Sequence, residues 1–366
     1  MGLVAIFVGA FLFLSVLADM VNTLVTTRTS QHRWWLTQVW YRRTWKATAG
    51  LAQAVRWPSV REALLATYAP LSVLLLLVLW VAQQILGLAL IWWGIGGVEG
   101  AESFADSIYF SGVVYFTVGF GELVPSDTTA RAVALVEAFA GVLTTALVIG
   151  YLPALYAAYN ERERKLMTLD DGSEDRITPT NLVCAWAPTA DPEELMAQFQ
   201  GWEDWIAGVL ETHTTFPMLK YFRSKDDRQS WITALGLVAD AALHCELIVG
   251  ASGRAPYWTL RRAVKALDAL TLGADLDAYV AEQELQGADD TLFRELCDQL
   301  EAHGFELYPY EDAVERGRIL RIAYGPKMEF LIDELVAPRG FWGHDIGIPL
   351  AMTSLDGRVR RRSLGE

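Results

Sequence analysis

The sequence predicts a mainly α-helical membrane protein with a helical C-terminal half. Three observations lead there. Long apolar stretches fall at about Leu3 to Val25, Leu71 to Trp93 and Ala130 to Tyr156, each enough to cross a bilayer. Strand-like alternation is scarce, whereas helical periodicity recurs through the second half. Finally, apolar content and charge are segregated. The 366 residues are 52% hydrophobic and carry a net charge of −14, yet charge before Asn160 cancels and the whole excess lies after it. So acidic a second half is a poor partner for nucleic acid. Cys184, Cys245 and Cys297 form no CxxC pair and read as reduced thiols.

Residues 1–27 hold the first span. It lacks the basic leader of a cleaved signal peptide, so it is expected to stay as a transmembrane helix. Asp19 and Asn22 near its inner end call for a cap or a helix–helix hydrogen bond. Residues 28–68 interleave Trp34, Trp35, Trp40, Tyr41, Trp45 and Trp57 with Arg28, Arg33, Arg42, Arg43, Lys46, Arg56 and Arg61. That composition predicts a cytoplasmic interfacial helix in contact with membrane lipid, with packing on the C-terminal half as the alternative. No Lys or Arg lies between the second and third spans, and Arg162, Arg164 and Lys165 follow the third. The basic bias predicts a multi-pass protein of the cell (inner or plasma) membrane, N-terminus outside and C-terminus cytoplasmic.

Between the second and third spans, Phe104 to Phe116 is too short to cross and is read as a re-entrant helix, capped by Ser103 or Asp106. Thr117-Val118-Gly119-Phe120-Gly121 follows. This differs at one position from TVGYG, the known carbonyl filter of potassium channels, so it is a match to an existing motif. The chemistry fits. Replacing a cation's water shell needs several oxygens on one side of the chain. Ordinary extended backbone points successive carbonyls oppositely, and Gly119 and Gly121 tolerate the positive φ that re-aims them. One chain supplies one wall, so a closed path needs copies around an axis, most simply four. Glu122, Asp127, Glu99 and Glu102 would make an acidic outer mouth. Tyr109, Phe110, Tyr115 and Phe116 would brace the strand as an aromatic cuff.

Over about residues 69–158, the order of span, short helix, TVGFG-E and span resembles prokaryotic potassium channels of the two-helix pore-domain type. The resemblance implies a homotetrameric, potassium-selective pore. Thr117, Val118, Gly119 and Phe120 become the K+ ligands, Gly121 completes the selectivity filter, and Glu122 stands at the outer mouth. It also places Gly141 at the inner-helix hinge. Phe116 stands where the family usually has Thr, Phe120 replaces Tyr and Glu122 replaces Asp. Gly141, Thr145 and Ile149 recur every four residues and are expected to line a cavity. Pro153 would bend the helix into a gate near Leu152 and Tyr156. Glu137, an acid in an apolar run, is expected to bond to the short helix behind the filter. No span carries the spaced arginines of a voltage sensor.

Residues 159–190 read as a linker, with Asp170 to Asp175 as a solvated acidic run. Residues 191–344 read as a cytosolic helical regulatory domain with helices near 192–212, 226–250, 256–272, 275–285, 288–303 and 311–336. No GxGxxG opens a nucleotide fold there. Asp191, Trp202, Trp205, His213, Pro217, Tyr221, Phe222 and Arg223 are read mainly as core. The alternative is a pocket for an unidentified small molecule or ion. Residues 345–366 form a basic tail with Arg358, Arg360, Arg361 and Arg362. No catalytic constellation appears, so the protein is expected to be no enzyme and to need no cofactor, K+ being its permeant ion. The competing readings are a non-selective cation channel and a membrane-anchored sensor or scaffold with a vestigial pore.

Overall fold

A computed structural model describes residues 2–24, 36–169, 177–225, 230–251, 254–286 and 291–339. The acidic run 170–175, Trp34, Trp35, Arg28, Arg33 and the basic tail 345–366 lie outside the described residues. The fold is mainly α, as the sequence predicts. It divides into two compact units, one of residues 1–160 and 214–222, the other of 161–213 and 223–366.

The first unit opens with α1 (Gly2–Leu24), α2 (Leu36–Ala54) and α3 (Pro58–Ile95). A two-residue strand β1 (Val98–Glu99), α4 (Phe104–Tyr115), β2 (Val124–Pro125) and α5 (Thr128–Leu166) follow. Helices α1, α3 and α5 are long and apolar enough to cross a membrane. At 1.5 Å per residue, α3 and α5 reach about 57 Å, well past a hydrocarbon core of about 30 Å. The helix holding the second span begins at Pro58, not near Leu71. Proline at a first turn loses no hydrogen bond, so Pro58 starts the helix and Pro70 lies inside it.

Helices α1 and α3 run antiparallel along a glycine seam. A side-chain carbon on Gly2 would lie 2.6 Å from the Gly94 carbonyl oxygen, and one on Gly87 2.9 Å from that of Gly9. The seven-residue spacing keeps both pairs on one stripe and lets the backbones touch, as lipid-embedded helices favour. Further along, Asp19 is buried and accepts from Trp80 Nε1 at 2.9 Å, Thr37 Oγ1 at 2.7 Å and the Thr37 amide at 3.2 Å. The expected helix–helix bond therefore joins three helices at one carboxylate.

The aromatic rings of α2 and its flank divide between two environments. Tyr41 and Trp45 are buried, and Trp40 Nε1 donates to the Ser72 carbonyl at 3.2 Å. These rings pack on protein, whereas Trp57 is largely exposed.

In the second unit come α6 (Pro179–Trp186), α7 (Pro192–Thr215), α8 (Trp231–Cys245), α9 (Ala255–Leu270), α10 (Asp277–Gln286), α11 (Thr291–His303), α12 (Tyr310–Ile322) and α13 (Gly325–Glu334). α5 ends and α6 forms inside the stretch expected to be a linker. The helix expected over 311–336 splits in two, because Pro326 starts α13 behind Gly325. Every residue of α8 is buried, so α6, α9, α12 and α13 pack around it as a central post. Ser230 caps its start, accepting from the Ile232 and Thr233 amides.

The last turns of α5 also belong to this unit. Arg162 and Glu163 are buried as an ion pair at 2.8 Å. The Arg162 guanidinium lies 5.2 Å over the Trp231 ring, and Glu163 accepts from the Lys225 amide at 3.1 Å.

On α8, Asp240 pairs with Arg321 and accepts from the Tyr324 hydroxyl at 2.5 Å. His244 lies fully buried one turn away, and neither ring nitrogen meets a hydrogen-bond partner among the described residues. Burial, with the nearby Arg321 charge, pushes its pKa down to about 3. The unfolded value is about 6.5, so above that pH His244 contributes nothing. As pH falls from about 6.5 toward 3, the unfolded chain takes a proton that the folded chain refuses. This should remove about 1.4 kcal/mol of stability per pH unit. Urea denaturation at pH 6.5 and 5 should show that slope, and His244→Leu should flatten it by one proton. An unchanged slope would mean the histidine is already charged in the fold.

Candidate functional site

The candidate site is assembled on α4. Its start is fixed by a reciprocal cap. Ser103 Oγ accepts from the Asp106 amide at 3.2 Å, and Asp106 accepts from the Ser103 amide at 2.8 Å. Both residues share the role for which the sequence offered either one. At the other end the Phe116, Thr117 and Val118 amides turn back to the carbonyls of Gly112, Val114 and Val113, at 3.0, 3.0 and 2.9 Å.

The chain then alternates in hand. Thr117 has φ 56°, Gly119 63° and Gly121 90°, while Val118 and Phe120 keep negative φ. Reversing φ at every second residue rotates alternate peptide planes, which is what a row of carbonyls on one side requires. The two glycines accept this freely. Thr117 is β-branched and adopts it at a cost of about 1–2 kcal/mol. All five residues from Thr117 to Gly121 are exposed on the single chain.

Beyond the strand, Tyr109 donates to Glu122 Oε1 at 2.5 Å, clamping the following turn to α4. β1 and β2 close the loop, pairing Val98 with Pro125 and Glu99 with Val124. One of the acids expected at the mouth has a second role. Asp127 caps α5, accepting from the Ala130 amide at 2.8 Å. The expected aromatic cuff also divides. Phe110 and Tyr115 are buried within the chain, with Phe110 edge-on to Trp92 at 4.9 Å, whereas Tyr109 and Phe116 are exposed.

Behind the strand, α5 meets α4 at two points. Glu137 is wholly buried and accepts from Ser111 Oγ at 2.5 Å and Trp92 Nε1 at 2.6 Å. One turn on, Gly141 lies so close that a side-chain carbon would overlap the Tyr115 carbonyl oxygen. Gly141 thus sits buried against α4, while Thr145, Ile149 and Pro153 are exposed. The three residues expected on one lining face occupy two environments, because a four-residue step drifts around a helix of 3.6 residues per turn. Thr145 Oγ1 donates to the Gly141 carbonyl at 3.0 Å. α5 continues unbroken through Pro153.

A feature missed in the sequence lies along the C-terminal half of α5. Residues 214–222 leave the second half of the chain and join the first unit. Their short 3-10 turn, Pro217–Tyr221, touches two sets of rings. Tyr151 donates to Met218 Sδ at 2.8 Å and packs on Phe216, while Phe222 meets Tyr156 and Tyr159 at 6.0 and 5.5 Å. Tyr221 meets Tyr41, Trp45 and Tyr68 at 5.9, 5.1 and 5.8 Å. The aromatic cluster considered as a pocket is therefore divided. Trp202, Trp205 and His213 are core of the second unit, Tyr221 and Phe222 belong to the first, and Asp191 is exposed. No group of three His, Cys, Asp or Glu able to hold a metal occurs among the described residues.

Two long apolar helices enclosing a short re-entrant helix and a glycine-alternated strand define the pore domain of an ion channel. Residues 75–157 match the family model described as "Ion channel", so that part of the chain is similar to an ion-channel domain. The chain is also similar to the "Uncharacterized membrane protein YdjJ" of Bacillus subtilis (strain 168), at 26% identity over 182 residues. That match covers 47% of this chain and 51% of the relative, so the chain spans about half the length of the curated relative it matches. No solved structure matches the chain.

Proposed function

We propose that this ion channel is potassium-selective and passes K+ passively through a homotetrameric pore whose wall is Thr117 to Gly121. The observation that supports this best is the alternation of φ at Thr117, Gly119 and Gly121 on an exposed strand. It begins at the C-terminal end of α4, where the helix dipole favours a cation. Exposed Val118, Phe120, Leu135, Val136 and Phe139 on a single chain suit burial against further copies. The basic bias supports an orientation with α1's start outside and the C-terminal half in the cytoplasm.

Bilayer recording of the purified protein in asymmetric potassium and sodium tests the reading. A reversal potential near that of potassium is expected. Reversal near zero would instead make it a non-selective cation channel. Absence of any current at all voltages, with tetramers intact, would favour a membrane-anchored scaffold.

Gating runs through α5, the inner helix, which passes at Asn160 directly into the second unit. The segment 214–222 is the second link. It ties the inner end of α5 to α2 and α3, which carry no filter residue, and so pulls α5 away from the ion path. Each ring contact of this kind contributes about 0.5–1.5 kcal/mol. Tyr221→Ala, which removes three such contacts, should therefore lower open probability at least about 10-fold, with an unchanged reversal potential. An unchanged or increased open probability would refute the tether.

A further inference from the structure

The contacts behind the filter assign a role to a buried acid. We propose that Glu137 is a positioning residue that fixes the height and tilt of α4, and hence the lower end of the filter. The inference rests on the conducting role proposed above for Thr117 to Gly121.

Two contacts set the geometry. Glu137 and Gly141 lie one turn apart on α5, and their partners Ser111 and Tyr115 lie one turn apart on α4. The two helices are thus fixed to each other at two points, which sets both sliding and rotation. The second point is the Tyr115 carbonyl, two residues before Thr117. The first point is polar and buried. Glu137 Oε2 takes the Trp92 indole of α3, and Oε1 lies on Ser111. Ser111 Oγ also lies 3.0 Å from the Ile85 carbonyl oxygen of α3. One carboxyl group therefore gathers α3, α4 and α5 at mid-height of α4. Neither α4 nor α3 from Ala63 to Ile95 carries a basic residue, so hydrogen bonds alone hold this acid. Such a group leaves buried donors unmatched when it is removed, and the helices must then shift to find new partners.

Hydrogen-bond arithmetic separates the variants. A Ser111 hydroxyl has one hydrogen and two acceptors within reach. Glutamine at 137 would accept from Trp92 and donate to Ser111, freeing that hydrogen for Ile85. Glu137→Gln should therefore preserve the seam. Glu137→Ala should lose it, and Ser111→Ala should weaken it without a large volume change.

The experiment records purified full-length channels of each variant in asymmetric potassium and sodium, after size-exclusion confirms assembly. It reads the potassium-to-sodium permeability ratio and the dwell time in non-conducting states at low potassium. Glu137→Ala is expected to lower the ratio or lengthen the dwell roughly tenfold, with Glu137→Gln close to wild type. Glu137→Ala behaving as wild type would overturn the proposal, as would Gln failing as badly as Ala. If Glu137→Ala does not assemble, Ser111→Ala decides. A shift in ratio or dwell supports the role, and wild-type behaviour overturns it. Failure of the underlying reading is distinct, since wild-type channels would then reverse near zero before any substitution is made.

Discussion

Gly119→Ala should abolish potassium current, by at least about 100-fold, while leaving assembled protein. Gly119 has φ 63°, where an L side chain costs about 1–2 kcal/mol. In a fourfold assembly the same change enters every wall, so the summed cost is about 4–8 kcal/mol. A side-chain carbon there would touch nothing within 4 Å on a single chain. The penalty is therefore conformational, and the strand would relieve it by flipping the peptide, which turns a carbonyl away from the ion. Gly208→Ala on α7 makes a control, because its helical glycine also meets nothing within 4 Å. Alanine in a helix interior gains about 0.5–1 kcal/mol over glycine, so that variant should conduct normally. Wild-type current from assembled Gly119→Ala channels would show that this strand is not the filter.

The second large effect is on stability. Asp240→Ala should destabilise the second unit by about 3–5 kcal/mol, because the Arg321 guanidinium would stay buried without its carboxylate. Both side chains lie at 5% exposure or less, so solvent does little to screen the loss. Asp240→Asn should cost less, since an amide oxygen still accepts from Tyr324. Chemical denaturation of the full chain, followed by tryptophan fluorescence, measures the difference. Equal midpoints for wild type and Asp240→Ala would show that the pair contributes nothing net. The same variant tests gating, because α5 ends inside that unit. Loosening the unit should alter open probability while leaving the reversal potential in place.

Much of the pore domain is legible in the order of its residues. Two glycines at a fixed spacing mark a backbone that must change hand, and that requirement is local. Glu137 is legible for a related reason, since an acid in an apolar run needs donors and only the neighbouring helices can supply them. Gly141 is harder to place. A hinge and a close helix contact both call for glycine, and the contact, with Tyr115, joins residues of two different helices. The segment 214–222 is harder still. Tyr221 and Phe222 read as core, but their partners lie far earlier in the chain, and no periodicity says which core. The break between α12 and α13 is written in Gly325-Pro326, yet the apolar pattern continues across it and hides the stop.

The three-helix junction at Asp19 also constrains how the protein is made. A carboxylate at the centre of an apolar helix costs roughly 2.5–3.5 kcal/mol during insertion, and Asp19, toward the end of α1, costs a part of that. Its indole donor, Trp80, is encoded 61 residues later. At roughly 5–20 residues per second, the ribosome delivers that donor about 3–12 s after Asp19 itself. Until then only Thr37, 18 residues on, can donate to that acid, so α1 would linger beside the insertion machinery instead of diffusing into lipid. Partition of the first helix is thereby timed by synthesis of the third, and the glycine seam closes only once both are present.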